Sequence, residues 1–119
     1  MVWLTTVGDS GAPVPNPVWF LWDGASTVLV FSLPRADRVR HLQGRDAVSL
    51  NFAGDGQGGD IVVLTGTAVP RPADPSADQV AGYIAKYRER IPGIGLTPRT
   101  FAERYSLPVQ ITLTRLRGH

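Results

Sequence analysis

Four arginines, Arg35, Arg38, Arg40 and Arg45, stand within eleven residues of the stretch "FSLPRADRVRHLQGRD", directly after an apolar run that ends on Ser32. A guanidinium fork matches the geometry of phosphate and carboxylate, so such a cluster raises the question of an anion seat. Helical spacing predicts a helix over 34–43, with Pro34 in its first turn and Gly44 at its stop. At about 100° per residue, Arg35 and Arg38 fall about 300° apart and share a face, whereas Arg40 is turned about 200° from Arg38. Arg35 and Arg38 thus pair near a helix start whose free N–H groups favour an anion, and the Ser32 hydroxyl can add a donor. A solvated helix end fits the same spacing, and it accounts for Arg40 and Arg45 better than a site does.

A second group of interest is aromatic. In "PVWFLW" at 17–22, strand alternation puts Phe20 and Trp22 on one face and Trp19 and Leu21 on the other. One face is expected in a core, with Phe20 assigned to packing. The opposite face is free to line a planar ligand or a subunit interface.

Other chemistries find little support. The chain of 119 residues has no cysteine and only His41 and His119 as histidines, so no metal site is expected. No nucleophile has a partnered base, and the glutamates are Glu89 and Glu103 alone. The loop "GDGQGGD" at 54–60 lacks the Lys-Ser/Thr ending of a phosphate loop and precedes a strand; Asp55 and Asp60 make at most a weak cation motif. An enzyme built from these residues would leave the hard chemistry to a cofactor.

Net charge is +2, with eleven arginines, one lysine and ten acids, too even a balance to argue for nucleic acid. No apolar run reaches the roughly 20 residues of a membrane span, and the start lacks the pattern of a signal peptide. A soluble, cytoplasmic protein with no membrane partner is the expectation.

The elements that must position these residues are mostly short strands. "VWLTTV" at 2–7 and "VPNPVWFLW" at 14–22 form a hairpin through "GDSGAP". Asp23-Gly24 then turns the chain into a second hairpin with "TVLVFS" at 27–32. Pro13, Pro15 and Pro17 cannot donate to a ladder and mark an edge or bulge. "AVSLNFA" at 47–53 puts Val48, Leu50 and Phe52 on one face and Ser49 and Asn51 on the other. "DIVVLTGTAV" at 60–69 suggests a central strand, and "SLPVQITLTRL" a last one. A helix is expected over 75–90, with Ala77, Val80, Ala81 and Ile84 on its apolar face, and one or two helical turns at "RTFAERY". The sum is a single domain over 1–119, mainly β with accessory helices: six strands in a small antiparallel barrel.

The order "TTVGDSGAPVPNPVWFLWDG", "VFSLPRADRVRHLQGRDAVSLNF", "GDGQGGDIVVLTGTA" and "YSLPVQITLTRLRG" resembles the F420-dependent branch of the pyridoxamine 5′-phosphate oxidase-like, FMN-binding split-barrel proteins. The likeness runs from Leu4 to Gly118. It implies a six-stranded split barrel, a homodimer with cofactor sites at the interface, and F420 as cofactor, with FMN as the alternative. Arg38 then takes the place of the cation that grips the cofactor phosphate, with Ser32 and Arg35 in the same stretch. Pro17, Val18, Trp19 and Phe20 match the strand beside the tricyclic ring, and Asn51 is a further cofactor-binding candidate. The implied activity is hydride transfer to an organic substrate, with no catalytic side chain assigned. An FMN-dependent oxidoreductase and a non-catalytic binder of F420, flavin or haem are the competing readings; a nucleic-acid module, suggested by the arginines and aromatics, is a third, with the near-neutral charge and the arginines split between helix faces against it. Members of this group often carry a helix before the first strand, whereas this chain opens directly on "VWLTTV".

Overall fold

A computed structural model describes residues 2–8, 10–52 and 62–118, with the side chains at 52, 62 and 115–118 left aside. The loop at 54–60, including Asp55 and Asp60, lies outside the described residues. Seven strands form one antiparallel sheet: β1 (Val2–Val7), β2 (Pro13–Val18), β3 (Leu21–Trp22), β4 (Thr27–Ser32), β5 (Ala47–Phe52), β6 (Val62–Pro70) and β7 (Leu107–Gly118). Their order is β2-β1-β5-β6-β7-β4-β3, so β6 is central as its apolar run requires.

Strands β2 and β3 sit at opposite edges of that order, yet only Trp19 and Phe20 separate them in sequence. Two residues span less than about 10 Å, so the two edges must come together and the sheet must curl into a split barrel. This crossing also explains seven strands instead of six. The expected strand over 14–22 breaks at Trp19–Phe20 and resumes on the other side of the seam. Both hairpins form as expected: Val7 lies opposite Pro13 in the first, and Leu21 opposite Leu29 in the second. The second turns on Asp23, whose carboxylate accepts from the N–H groups of Ala25 (2.8 Å) and Thr27 (3.1 Å). Gly24 supplies the positive φ of 84° that this turn needs.

Pro13, Pro15 and Pro17 alternate opposite Val7, Thr5 and Trp3. Their missing N–H groups therefore all fall on the outer edge, and β2 still bonds to β1 through Val14, Asn16 and Val18.

Alternation sorts the strand side chains into two cores. Val2, Leu4, Val28, Val30, Val48, Leu50, Val109 and Ile111 fill the barrel, joined by Leu42 from α1 (Asp37–Gly44). Leu29 and Phe31, on the other face of β4, meet a helical layer made of a 3-10 turn (Ala77–Gln79), α2 (Ala81–Tyr87), a second 3-10 turn (Pro92–Ile94) and α3 (Pro98–Arg104). Between Thr65 and Gly66 the β6–β7 register shifts at a bulge, where a Cβ on Gly66 would collide with the Thr112 carbonyl oxygen.

Two helices differ from expectation. Pro34 biases Leu33 toward extended backbone, and the chain makes a turn closed by Ala36 N–H to the Leu33 carbonyl before α1 begins at Asp37. Arg35 therefore lies on that turn, outside the helix, and does not share a helical face with Arg38. The helix over 75–90 breaks at Val80, which is extended (φ −99°, ψ 96°), and ends at Tyr87. Ala77, Val80 and Ile84 pack inward as expected, whereas Ala81 is exposed.

Candidate functional site

At the seam, between the end of β2, the outer face of β4 and the helical layer, a cleft of about 220 Å³ opens. Pro17, Val18 and Trp19 form one side of it. Tyr83, Phe101 and Tyr105 come from α2 and the region of α3, Phe31 forms the base, and Ile94 stands at the rim. The walls are aromatic because the segments that meet here are the ones carrying rings. Trp19 stacks on Tyr87 at 4.7 Å and 6° and on Phe101 at 5.5 Å and 11°, and Phe101 continues to Tyr105 at 4.7 Å. Tyr83 closes edge-on against Phe31 at 4.8 Å. Such pairs each add about 0.5–1.5 kcal/mol beyond area burial, so the wall is stiff as well as apolar.

Among the described residues that line the cleft, one is a cation. Arg38, in the first turn of α1, is half-buried and lines the cleft. Its Nε donates to Ser32 Oγ at 3.0 Å, and the Ser32 hydroxyl, only 1% exposed at the end of β4, donates in turn to the Leu33 carbonyl at 3.0 Å. The serine thus holds the guanidinium by one edge. The two terminal nitrogens make no hydrogen bond or ion pair among the described residues, in contrast to Arg40, which meets Asp37 at 3.3 Å. Burial holds the Arg38 guanidinium below the usual arginine range, with Tyr105 partly offsetting the effect. It remains charged at any working pH.

With no carboxylate partner among the described residues, this half-buried and still partly hydrated cation is placed to accept an anionic ligand. The arrangement fits an anion joined to a planar ring.

Helix α1 is fixed from below. His41, buried one turn after Arg38, meets Thr6 Oγ1 through Nδ1 at 3.0 Å, and Arg45 Nη1 donates to the Gly8 carbonyl at 3.1 Å. Arg45 is exposed, as its spacing suggests, and its bond to Gly8 also ties the end of α1 to the β1–β2 turn.

The structure places the sequence candidates unevenly. Pro17, Val18, Trp19 and Arg38 line the cleft, with Ser32 beneath Arg38. The Phe20 ring packs toward the barrel core, while its backbone stays at the seam. Arg35 is exposed on the turn before α1, and Asn51 lies on β5 opposite Trp3 and Val63; neither lines the cleft. The residues missed from sequence are Phe31, Tyr83, Ile94, Phe101 and Tyr105. The signal for part of this set was the i, i+4 spacing of Tyr83 with Tyr87 and of Phe101 with Tyr105.

A curled antiparallel sheet, split at one seam and covered there by short helices over a cationic aromatic cleft, defines the split-barrel class. The family model described as pyridoxamine 5′-phosphate oxidase matches residues 1–116, and the chain belongs to that family, whose members include oxidoreductases that bind flavins such as FMN. Among solved structures, an F420 reductase is similar with a TM-score of 0.73 at 16% identity, covering 98% of this chain and 87% of that one. A conserved hypothetical protein of Mycobacterium tuberculosis aligns with a TM-score of 0.74 at 18% identity, over 98% and 74% of the two chains. HutZ, the haem storage protein of Vibrio cholerae, aligns with a TM-score of 0.68 at 15% identity, over 98% and 84%. At these identities the likenesses establish the fold. No curated protein sequence matches the chain. Among the described residues no helix is long and apolar enough to cross a membrane, and no group of His, Cys, Asp and Glu could hold a metal ion.

Proposed function

We propose that the chain is an F420-dependent oxidoreductase of the reductase type, acting as a homodimer on an organic substrate. The observation that carries this reading is Arg38: a half-buried guanidinium, held by Ser32, without an acidic partner among the described residues, at the end of an aromatic cleft. Its terminal nitrogens would take the cofactor phosphate. Pro17, Val18 and Trp19 would flank the ring, with Phe20 contributing through its backbone, and the aromatic wall would keep water away. When bound, the deazaflavin supplies the hydride chemistry, so the chain needs no nucleophile of its own. The structural likeness to an F420 reductase supports this cofactor.

At about 220 Å³ the cleft is smaller than the roughly 300–1,000 Å³ of a site that encloses a drug-sized ligand. One chain therefore covers part of the cofactor, and a second copy would complete the site. Trp3, 46% exposed, stands beside Pro17 on β2 and Asn51 on β5. A second copy seated on this face would cover Trp3 and bring Asn51 into a shared site. Arg35 would act as an outer cation on the turn before α1.

FMN is the second reading, favoured by family membership, since it presents a phosphate and a planar ring to the same seat. Titration of the purified protein with F420 and with FMN separates the two: tight binding of FMN alone refutes the deazaflavin assignment. Oxidation of reduced F420 across a broad panel of acceptors then tests the activity. Binding without turnover would instead mark a carrier of F420, flavin or haem.

A further inference from the structure

At the crossing between β2 and β3, Trp19 and Phe20 belong to no strand, so their backbone polar groups need other partners. Phe20 finds both in one atom. Its N–H donates to the Tyr87 hydroxyl at 2.7 Å, and the same hydroxyl donates to the Phe20 carbonyl at 2.7 Å. In an antiparallel ladder a residue exchanges these two bonds with the residue opposite, and here a single hydroxyl, donor and acceptor at once, takes the place of that strand neighbour. Lys86 Nζ adds a second donor to the same carbonyl at 2.8 Å and lies 3.4 Å from the centroid of the Phe20 ring. Burial raises the Tyr87 hydroxyl above the usual tyrosine range, so it keeps its proton for the carbonyl at neutral pH.

The preceding residue, Trp19, is held by Tyr87 as well, ring on ring at 4.7 Å and 6°. One side chain of α2 therefore fixes both the peptide that closes the barrel and the indole that walls the cleft.

We infer that Tyr87, assisted by Lys86, is a positioning residue for the ring-binding wall of the cleft, acting through the Phe20 peptide and Trp19 and not through the phosphate seat at Arg38. The inference rests on the functional reading above only for what the wall binds. The division of labour is structural: the Arg38 seat hangs on β4 through Ser32, whereas the Trp19 wall hangs on α2 through Tyr87.

Tyr87→Phe keeps the stacked ring and removes the hydroxyl, and Lys86→Gln shortens and neutralises the second donor, taking its charge away from both the Phe20 carbonyl and the Phe20 ring. Two readouts apply. The first needs no cofactor: in a background with Trp3 and Trp22 replaced by Phe, acrylamide quenching of Trp19 and hydrogen exchange of the Phe20 amide are measured. Tyr87→Phe is expected to raise Phe20 exchange about tenfold or more and to increase quenching, the scale of one lost buried hydrogen bond, with Lys86→Gln showing a smaller change in the same direction. The second compares F420 with the deazaflavin riboside that lacks the phosphate. Tyr87→Phe is expected to weaken both by the same factor, about fivefold to tenfold, whereas loss of the Arg38 charge weakens F420 alone. Unchanged quenching and exchange in folded Tyr87→Phe and Lys86→Gln would overturn the inference. A weakening confined to F420 would overturn it too, because the hydroxyl would then serve the phosphate seat. If the unmodified protein binds neither ligand the functional reading falls, and the positioning role is still decided by the first readout.

Discussion

Replacing Arg38 by Met removes the charge and keeps most of the aliphatic stem, which isolates what the guanidinium contributes. In the bound state the variant loses a charge-assisted hydrogen bond to phosphate, about 1.5–3 kcal/mol, which corresponds to about a 10- to 150-fold rise in Kd. The unbound state changes much less. One hydrogen bond to Ser32 disappears, a loss of about 1 kcal/mol, but Ser32 keeps its proton on the Leu33 carbonyl and no buried donor is orphaned. Against that loss stands relief from holding a charge in a half-buried place without a carboxylate partner among the described residues, a small effect because solvent still screens the group. The two nearly cancel, so the unbound variant should melt within about 4 °C of the parent. The assay is fluorescence titration with F420 beside a thermal scan of the unbound protein. An affinity that survives the substitution refutes the phosphate seat. A fall in melting temperature well beyond 10 °C, on the order of several kcal/mol, shows instead that Arg38 is a structural residue.

Three further outcomes follow from other parts of the molecule. Gly66→Ala places a methyl group against the Thr112 carbonyl at the bulge and is expected to lower stability by about 2–3 kcal/mol, read by chemical denaturation; a neutral result would mean that the bulge relaxes freely. Burial raises the phenols of Tyr83 and Tyr87 above the usual range of 10. Their contribution to stability is therefore complete below the unfolded value of about 10 and is lost as pH climbs through the folded values; phenolate absorbance from these two should rise together with unfolding seen by circular dichroism, and ionisation at the ordinary pKa in a folded chain would contradict it. Trp3→Glu puts a charge on the face proposed to meet a second copy, and light scattering should show association weakened by about 2 kcal/mol or more; an unchanged dimer mass would move the interface elsewhere.

Strands were legible because a pleated surface with one buried face writes its period into the sequence. Val28 and Val30 point into the barrel while Leu29 and Phe31 face the helices, and the hairpin at Asp23-Gly24 was specified by its turn residues. The break at Trp19–Phe20 was not legible, since nothing local distinguishes a strand that continues from one that crosses a seam; the partner that holds the crossing, Tyr87, lies 67 residues away. The same non-locality hid the far wall of the cleft, where rings from α2 and α3 meet Trp19. Arg38 could be singled out because strand end, serine and helix start are close in sequence. Its pairing with Arg35 failed because Pro34 delays the helix to Asp37. Asn51 was correctly placed on the polar face of its strand, but alternation gives a face and not a position around the barrel.

The prolines of β2 also bear on how this protein behaves when crowded. An open sheet edge with alternating donors and acceptors can recruit a further strand from another molecule and so begin a fibril. Here the outer fringe of β2 offers carbonyls at Pro13, Pro15 and Pro17 and no N–H from those residues, and the opposite edge, β3, is only two residues long. The seam can therefore stay open for a ligand without becoming a template for runaway polymerisation.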